Sequence, residues 1–154
     1  MTVLSNNSLY PGLRRFEQAG AVTKRVEKNP GHPSRNVFAI TDLGRELFRE
    51  LISTLPVELA SSSEEFLLRL GFFAELGTSE RLAILAARDA ALAAQVDQLS
   101  TLIAQMTGSV AGDWRSEATE HLLDQLIRDR SWVAELTRRV HDDETSEPRT
   151  TDEH

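Results

Sequence analysis

The chain of 154 residues contains no cysteine, has few aromatic residues and carries more acidic than basic side chains. Because cysteine is absent, disulfides and thiolate metal sites are excluded, and a reducing compartment fits best. No apolar stretch approaches the roughly 20 residues needed to span a bilayer. The N-terminus also has no basic segment followed by an apolar run. We therefore expect no signal peptide and a cytoplasmic protein without a membrane partner.

Signatures of common enzyme classes are missing as well. The sequence has no Gly-rich phosphate loop, no HExxH zinc motif and no GxSxG elbow. The four histidines have no metal-ligand spacing among them: His32, His121, His141 and His154. We therefore expect a protein that is not an enzyme and that uses no cofactor or metal.

The net charge of −7 at first argues against a nucleic-acid partner, but the charges are unevenly distributed. Residues 1–55 hold eight basic and five acidic residues, a net charge of +3, whereas the remaining residues hold 9 basic and 19 acidic ones, a net charge of −10. A basic head on an acidic body favours a polyanion partner for the head alone. Chance clustering of solvated charges is the alternative interpretation.

A short amphipathic helix is predicted near the N-terminus. Its apolar residues share one face at helical spacing: Leu9, Leu13 and Phe16. Ser8 is the expected N-cap, with Asn6 and Asn7 as alternatives, and this start places Pro11 in the first turn, where its missing N–H costs little. Gly20 is expected to end the helix with a positive φ.

A basic β-hairpin is predicted to follow that helix directly. From Ala21 the sequence alternates with a period of two, and residues 29–33 are a Pro/Gly turn that cannot continue a strand. Asn36 to Ile40 is the returning strand. Thr41 is the expected N-cap of a helix that begins at Asp42 and ends near residue 55, before Pro56.

The rest of the chain is predicted to be helical. Residues 61–63 form a linker with a cap, and residues 64–76 a helix ended by Gly77. Thr78 or Ser79 caps a long helix to about residue 106, and residues 107–113 form a turn before a last helix over residues 114–140. Residues 141–154 contain no apolar side chain and are expected to be disordered.

The two long helices carry heptad seams, which predict an antiparallel hairpin of coiled-coil character. Apolar residues of the first seam recur every seven positions: Leu85, Leu92, Leu99 and Met106. The second seam alternates by four and three: Leu122, Leu126, Val133, Leu136 and Val140. Asp89 and Asp129 interrupt the seams, and we expect them to meet Arg88, Arg128 or Arg130 or to specify register, not to act in catalysis.

The head has the physical features of a DNA-binding surface. A helix N-terminus offers free N–H groups and a positive dipole end, both of which favour phosphate. Polar side chains lie at that end: Asn6, Asn7, Ser8 and Tyr10. Basic side chains lie on and beside the hairpin turn: Lys24, Arg25, Lys28, His32 and Arg35. A packed Tyr10 and a solvated Lys28 are the alternative interpretations for those two residues taken singly.

The ordered set SLYPGLRRFEQAGAV, GHPSRNVFAIT and DLGRELFREL resembles the PadR family of bacterial transcriptional regulators. The family pattern around the recognition helix is matched by Ser8, Leu9, Tyr10-Pro11, Leu13, Phe16-Glu17, Gly20 and Ala21-Val22. The wing pattern is matched by Gly31, Pro33, Arg35, Phe38, Thr41 and Gly44. The resemblance covers residues 1–55, and residues 62–140 resemble the family's dimerisation domain in general character only.

The resemblance implies a mainly α fold with a small β-hairpin: a winged helix-turn-helix, N-terminally truncated, and a coiled-coil-like helical dimerisation domain. The expected domains are residues 1–55 (DNA-binding), residues 62–140 (dimerisation) and a disordered acidic tail, residues 141–154. The implied function is a homodimeric, ligand-responsive repressor that binds double-stranded DNA at an inverted-repeat operator. The implied DNA-binding residues are Asn7, Ser8, Tyr10, Arg14, Lys24, Lys28 and Arg35.

Two further expectations come from the resemblance. A small aromatic effector would bind near Trp114 and Trp132, for which core or interface packing is the alternative. Family members have two helices before the recognition helix, and only Met1 to Asn7 precede it here. We expect that the start codon lies upstream, that this form is truncated, or that the C-terminal helices or a partner chain fill the gap. A dimerisation or adaptor protein that has lost DNA binding through N-terminal truncation is the alternative function.

Overall fold

The structure, a computed structural model, describes residues 6–28, 34–106 and 114–146; for residues 6–10, 106 and 146 it describes the backbone alone. The expected mainly α fold with a small β-hairpin is confirmed. The chain divides into two compact units, Met1–Ile52 and Ser53–His154. None of the described helices is both long and apolar enough to cross a membrane.

The first unit consists of helix α1 (Asn6–Gln18), strands β1 (Val22–Glu27) and β2 (Arg35–Ile40), and helix α2 (Asp42–Ile52). Helix α1 begins at Asn6, so the prediction of Ser8 as N-cap was wrong. Pro11 therefore lies inside the helix and not in its first turn, and because proline has no N–H the helical hydrogen bond to the carbonyl of residue 7 cannot form.

Helix α1 ends at a Schellman motif, as the glycine predicted. Gly20 has a φ of 74°, the left-handed conformation that glycine adopts without strain. Its N–H donates to the carbonyl of Glu17 (3.0 Å), and the N–H of Ala21 donates to the carbonyl of Phe16 (2.9 Å). These two bonds reverse the chain and feed it directly into β1.

The two strands form an antiparallel hairpin in which Val22 pairs with Ile40 and Glu27 pairs with Arg35. Strand β2 begins at Arg35, one residue earlier than expected. The predicted turn over residues 29–33, with His32, lies outside the described residues. In this register Lys24 pairs with Phe38 and Arg25 pairs with Val37. Because neighbouring side chains of a strand point to opposite sides, Lys24 and Arg25 lie on different faces of the hairpin.

Helix α2 is capped by Thr41, as predicted, since the N–H of Gly44 donates to the Thr41 hydroxyl (3.0 Å). The helix ends at Ile52 and not near residue 55. Pro56 disfavours the helical conformation at Leu55 and has no N–H to donate to the carbonyl of residue 52, which ends the helix early.

The second unit consists of helix α3 (Ser63–Leu70), a short 3-10 helix (Phe73–Glu75), and the long helices α4 (Thr78–Met106) and α5 (Trp114–Ser146). The prediction of one helix over residues 64–76 was wrong. Helix α3 stops before Gly71, a poor helix former, and the N–H of Phe72 donates to the carbonyl of Arg69 (2.9 Å). The following 3-10 turn brings Leu76 into the core, where it is 3% exposed.

Helix α4 has a glycine as its N-cap, which corrects the prediction of Thr78 or Ser79. The carbonyl of Gly77 accepts from the N–H of Arg81 (3.0 Å). The Gly77 N–H in turn donates to the carboxylate of Glu80 (2.7 Å). Glu80 thus supplies the reciprocal half of a capping box, while Gly77 has no side chain with which to supply the other half.

Helices α4 and α5 pack along the predicted seams, most closely towards the N-terminus of α4 and the C-terminus of α5. Leu85, Leu92, Val133 and Val140 are buried there. Towards the other end Leu122 is half exposed. The two interrupting acids form ion pairs, as expected: Arg130 Nε lies 2.8 Å from Asp89 Oδ1, and Arg88 Nη2 lies 3.9 Å from Asp129 Oδ2.

Helix α5 continues to Ser146, so the prediction of a disordered tail from residue 141 was wrong for residues 141–146. Val140 is buried and holds this end of the helix in the core, and no helix-breaking residue follows before Pro148. Residues 147–154 lie outside the described residues.

Two buried arginines form hydrogen bonds to backbone carbonyls of the segment between Ser53 and Ser62. Only the last residues of this segment had been predicted to be a linker. Arg88 donates to the carbonyl of Ala60 (2.9 Å) and to the Ser63 hydroxyl (2.9 Å), and its guanidinium lies over the Phe66 ring. Arg69 donates to the carbonyl of Thr54 and to the Glu65 carboxylate. Burial lowers the pKa of Arg88, and the nearby Asp129 opposes this shift.

Candidate nucleic-acid interface

One polar junction joins α1, the hairpin and α2. The Thr41 hydroxyl donates to the carbonyl of Gly20 (2.7 Å), and the Thr41 N–H donates to the carbonyl of Ala21 (3.0 Å). Gly44, in the first turn of α2, lies against the same Ala21 carbonyl so closely that a Cβ at Gly44 would collide with it. The junction therefore fixes where the C-terminus of α1 and the base of the hairpin lie relative to each other.

Helix α1 carries four of the predicted DNA-binding residues. Positions 7, 10 and 14 are spaced by three and four residues and share one face of the helix, with Leu13 beside position 10 and Phe16 on the other side. Position 8 lies off that face. Arg14 is exposed, while the side chains at positions 7, 8 and 10 lie outside the described residues.

The hairpin carries the other three predicted residues, and they differ in their surroundings. Lys24 lies within β1 and Lys28 directly after it, and both are exposed. Arg35 begins β2 and is engaged in an ion pair with Glu27, its cross-strand neighbour. Lys24 and Arg35 lie on opposite faces of the hairpin, so the three residues do not form one cluster.

Glu27 accepts from two arginines at once, and we call Arg25, Glu27 and Arg35 the wing triad. Arg25 Nη2 lies 2.7 Å from Glu27 Oε1, while Arg35 Nη2 and Nε lie 2.7 Å and 2.9 Å from Oε2. The hydrogen bond from Arg35 is the main cause that lowers the pKa of Glu27 below its ordinary value, and the charges of Arg35 and Arg25 add to it.

The wing triad was missed from the sequence, although a signal for it was present. Residues 25 and 27 share a strand face because side chains alternate along a strand. A hairpin register that pairs Glu27 with Arg35 then places all three charges on that face. The register depends on the length of the turn between the strands, and the sequence pattern does not give that length to within one residue.

The two tryptophans predicted to bind an effector are not brought together within the chain. Trp114 and Trp132 both lie on α5, and their separation of 18 residues corresponds to about 27 Å along a helix axis. Trp114 is 85% exposed, whereas Trp132 packs edge-on against Phe66 with ring centroids 5.9 Å apart. Within one chain the two indole rings therefore do not form one pocket.

Two grooves run between α4 and α5 in the second unit, and neither is lined by a tryptophan. The larger, of about 770 Å³, has apolar walls that include Leu82, Val96 and Ile127, with the Asp89–Arg130 ion pair in its lining. The smaller, of about 570 Å³, is lined by Arg88, three glutamines and several leucines. Among the described residues, no group of histidine, aspartate or glutamate side chains could hold a metal ion.

Comparison with known families decides the class of the first unit. Residues 1–50 match the model of the transcriptional regulator PadR-like family. The N-terminal unit is therefore similar to this family, and we call it the PadR-like unit. The match spans α1, both strands and nearly all of α2, so the PadR-like unit includes the polar junction and the wing triad.

Two solved structures match most of the chain, with low TM-scores. One is the crystal structure of Bacillus subtilis PadR in complex with operator DNA, which is 18% identical, covers 91% of this chain and 82% of its own, and has a TM-score of 0.44. The other is smu.1604c from Streptococcus mutans UA159, which is 26% identical, covers 85% of this chain and 77% of its own, and has a TM-score of 0.42. No curated protein matches the chain.

Proposed function

We propose that the chain is a DNA-binding transcriptional regulator whose PadR-like unit binds duplex DNA through α1 and the hairpin. The carrying observation is that a helix and a basic hairpin are joined at one polar junction inside a segment that matches a family of regulators. Helix α1 would present positions 7, 10 and 14 to base edges and phosphates. Lys24, Lys28 and Arg35 would lie along the phosphate backbone.

The proposed contacts differ in kind, and this difference can be tested. Lysine and arginine contacts to phosphate carry no sequence information, so the loss of one should weaken binding to all duplexes alike. An asparagine amide can read a base edge, so Asn7→Ala should change the preference between duplexes more than the mean affinity.

The direct test of this proposal is a fluorescence-anisotropy titration of the whole chain against duplexes that tile the DNA upstream of its gene. The expected result is binding that tightens on one duplex with an inverted repeat and weakens steeply with salt. The absence of binding to every duplex at low salt would contradict the proposal and favour the dimerisation or adaptor function.

We propose further that the regulator acts as a homodimer through α4 and α5. A heptad seam is typical of helices that associate, and the larger groove leaves apolar side chains such as Ile127, which is 50% exposed, at the surface. A second copy with its own groove would cover both apolar surfaces in a two-fold contact. An inverted-repeat operator matches such two-fold symmetry.

The proposed repressor role and response to a small aromatic effector rest on the family alone. Of the two tryptophans, Trp132 is the better candidate for the effector site, because it is 40% exposed and packs against a second aromatic ring, Phe66, beside which a planar ligand could stack. The test is Trp132 fluorescence in a Trp114→Phe variant during titration with planar aromatic acids and cations. We expect one of these compounds to quench the fluorescence saturably and to weaken operator binding. If none of them quenches the fluorescence, the assignment is contradicted.

A further inference from the structure

We propose that Glu27 is a specificity-determining residue of the wing: its carboxylate occupies Arg25 and Arg35 and limits how tightly the hairpin holds DNA of any sequence. The inference rests on the proposed DNA-binding function and assigns an acidic residue a role within a basic surface. It follows from the geometry of the wing triad and from its position on the hairpin.

The geometry shows that Glu27 engages guanidinium donors that a phosphate could also use. A carboxylate and a phosphate both accept paired N–H groups of a guanidinium, so they compete for the same donors. Both oxygens of Glu27 are engaged, Oε1 by Arg25 and Oε2 by Arg35, at 2.7 Å in each case. The donors that face Glu27 are therefore not free for phosphate while the triad is closed.

The charge balance has the same consequence. The two arginines alone would carry a charge of two, and Glu27 reduces the net charge of the triad to one. Both arginine side chains remain about 70% exposed (71% for Arg25 and 69% for Arg35), so the triad still faces solvent and any polyanion that approaches this face. Since the attraction to non-specific DNA is electrostatic, a lower wing charge reduces that attraction.

A lower affinity for non-specific DNA improves discrimination between duplexes. Specific binding also draws on contacts of α1 to base edges, which Glu27 does not touch, whereas non-specific binding depends on phosphate contacts almost entirely. Removal of the Glu27 charge should therefore strengthen binding to random DNA more than binding to the preferred duplex.

The experiment compares Glu27→Gln with the wild-type chain on a random-sequence duplex and on the tightest-binding upstream duplex, across a series of salt concentrations. Gln keeps the size and an acceptor oxygen but removes the charge. We expect a roughly two- to fivefold gain in affinity for random DNA and a log–log salt slope steeper by about one to two. We also expect a smaller gain on the preferred duplex. Equal or weaker binding to random DNA would overturn the proposal.

Two controls separate the wing triad from net charge. Glu46→Gln removes the same charge from an exposed position on α2, and it should change affinity less than Glu27→Gln does. In an Arg25→Ala/Arg35→Ala background, Glu27→Gln should give a smaller gain, because it removes the negative charge but frees no guanidinium donors. A gain that equals the Glu46→Gln gain, or one that is undiminished without the arginines, would contradict a role through the triad.

The two levels of the proposal fail in different ways. If the wild-type chain binds neither duplex at low salt, the proposed DNA-binding function and the role of Glu27 fail together. If the wild-type chain binds and Glu27→Gln does not raise its affinity for random DNA, only the role of Glu27 fails. Circular dichroism of each variant verifies that its helix content matches the wild type.

Discussion

Three residues of the PadR-like unit, Gly20, Thr41 and Gly44, hold its helices and hairpin together through close contacts with the backbone. Gly20 permits the left-handed turn that ends α1, and Gly44 permits α2 to approach the Ala21 carbonyl. Thr41 uses one hydroxyl twice, as donor to Gly20 and as acceptor from Gly44. These contacts position the helix and hairpin that we propose to bind DNA.

Gly44→Ala should destabilise the PadR-like unit by about 1–3 kcal/mol, since the new methyl group collides with backbone that cannot rotate away. The measurement is hydrogen exchange of the Thr41 amide, which donates to Ala21 and should exchange faster in the variant. Gly12→Ala is the matched control, because a Cβ there meets nothing within 4 Å. Protection of Thr41 that is unchanged in Gly44→Ala would contradict the account of the junction.

The Glu27 carboxyl should titrate below its ordinary pKa of 4.5, mainly because of the hydrogen bond from Arg35. A carboxyl with a lowered folded pKa stabilises the fold fully above its ordinary pKa, and this contribution is lost as pH falls through the lowered value. Carbon-13 NMR of the side chain measures the midpoint. Arg35→Ala should move it up towards 4.5, and a midpoint that does not move would rule out Arg35 as the main cause.

At the scale of elements, the sequence predicted what local chemistry determines. The Gly20 end of α1, the Thr41 cap and the heptad seams were predicted because each depends on neighbours along the chain. The break at Gly71 was not predicted, because a glycine weakens a helix without always ending it. The helical residues after Val140 were not predicted either, because that end of α5 is held by the burial of Val140. The wing triad depends on strand register, which alternation alone does not give.

The burial of Arg88 in α4 also could not be predicted from the sequence. Arg88 lies one position from Asp89, which interrupts the predicted seam, and it is only 3% exposed. Its partners, Ala60 and Ser63, belong to a segment distant in sequence. These partners satisfy the two terminal nitrogens of Arg88, while its buried Nε has no hydrogen-bond partner. The sequence does not show which carbonyl lies within reach of a buried arginine.

Arg88→Ala should destabilise the second unit by about 2–4 kcal/mol, because it leaves a cavity beside Phe66 and an unpaired carbonyl at Ala60. Arg130→Ala, which breaks an exposed ion pair to Asp89, should cost less than about 1 kcal/mol. Urea unfolding followed by Trp132 fluorescence in a Trp114→Phe background compares the two. Equal losses would contradict the distinction between a buried and an exposed arginine.

At the scale of the whole molecule, a basic DNA-binding unit and an acidic helical unit share one chain, and homodimerisation would pair two of each. Light scattering at micromolar concentration should give twice the 17.2 kDa mass of the chain. Ile127→Glu should shift the protein towards the monomer, since it places a charge in the proposed contact, whereas Thr101→Glu on an exposed position of α4 should not. A wild-type monomer would contradict the proposed assembly.

The central claim is that the hairpin binds DNA, and one measurement tests it most directly. Lys28→Ala/Arg35→Ala is compared with Arg128→Ala/Arg138→Ala, which removes the same charge from exposed positions of α5, by anisotropy on the same duplexes. We expect the hairpin double variant to lose affinity for all duplexes, with a salt slope shallower by about two, and the α5 variant to bind like the wild type. Unchanged affinity in the hairpin variant, or an equal loss in both, would contradict the claim.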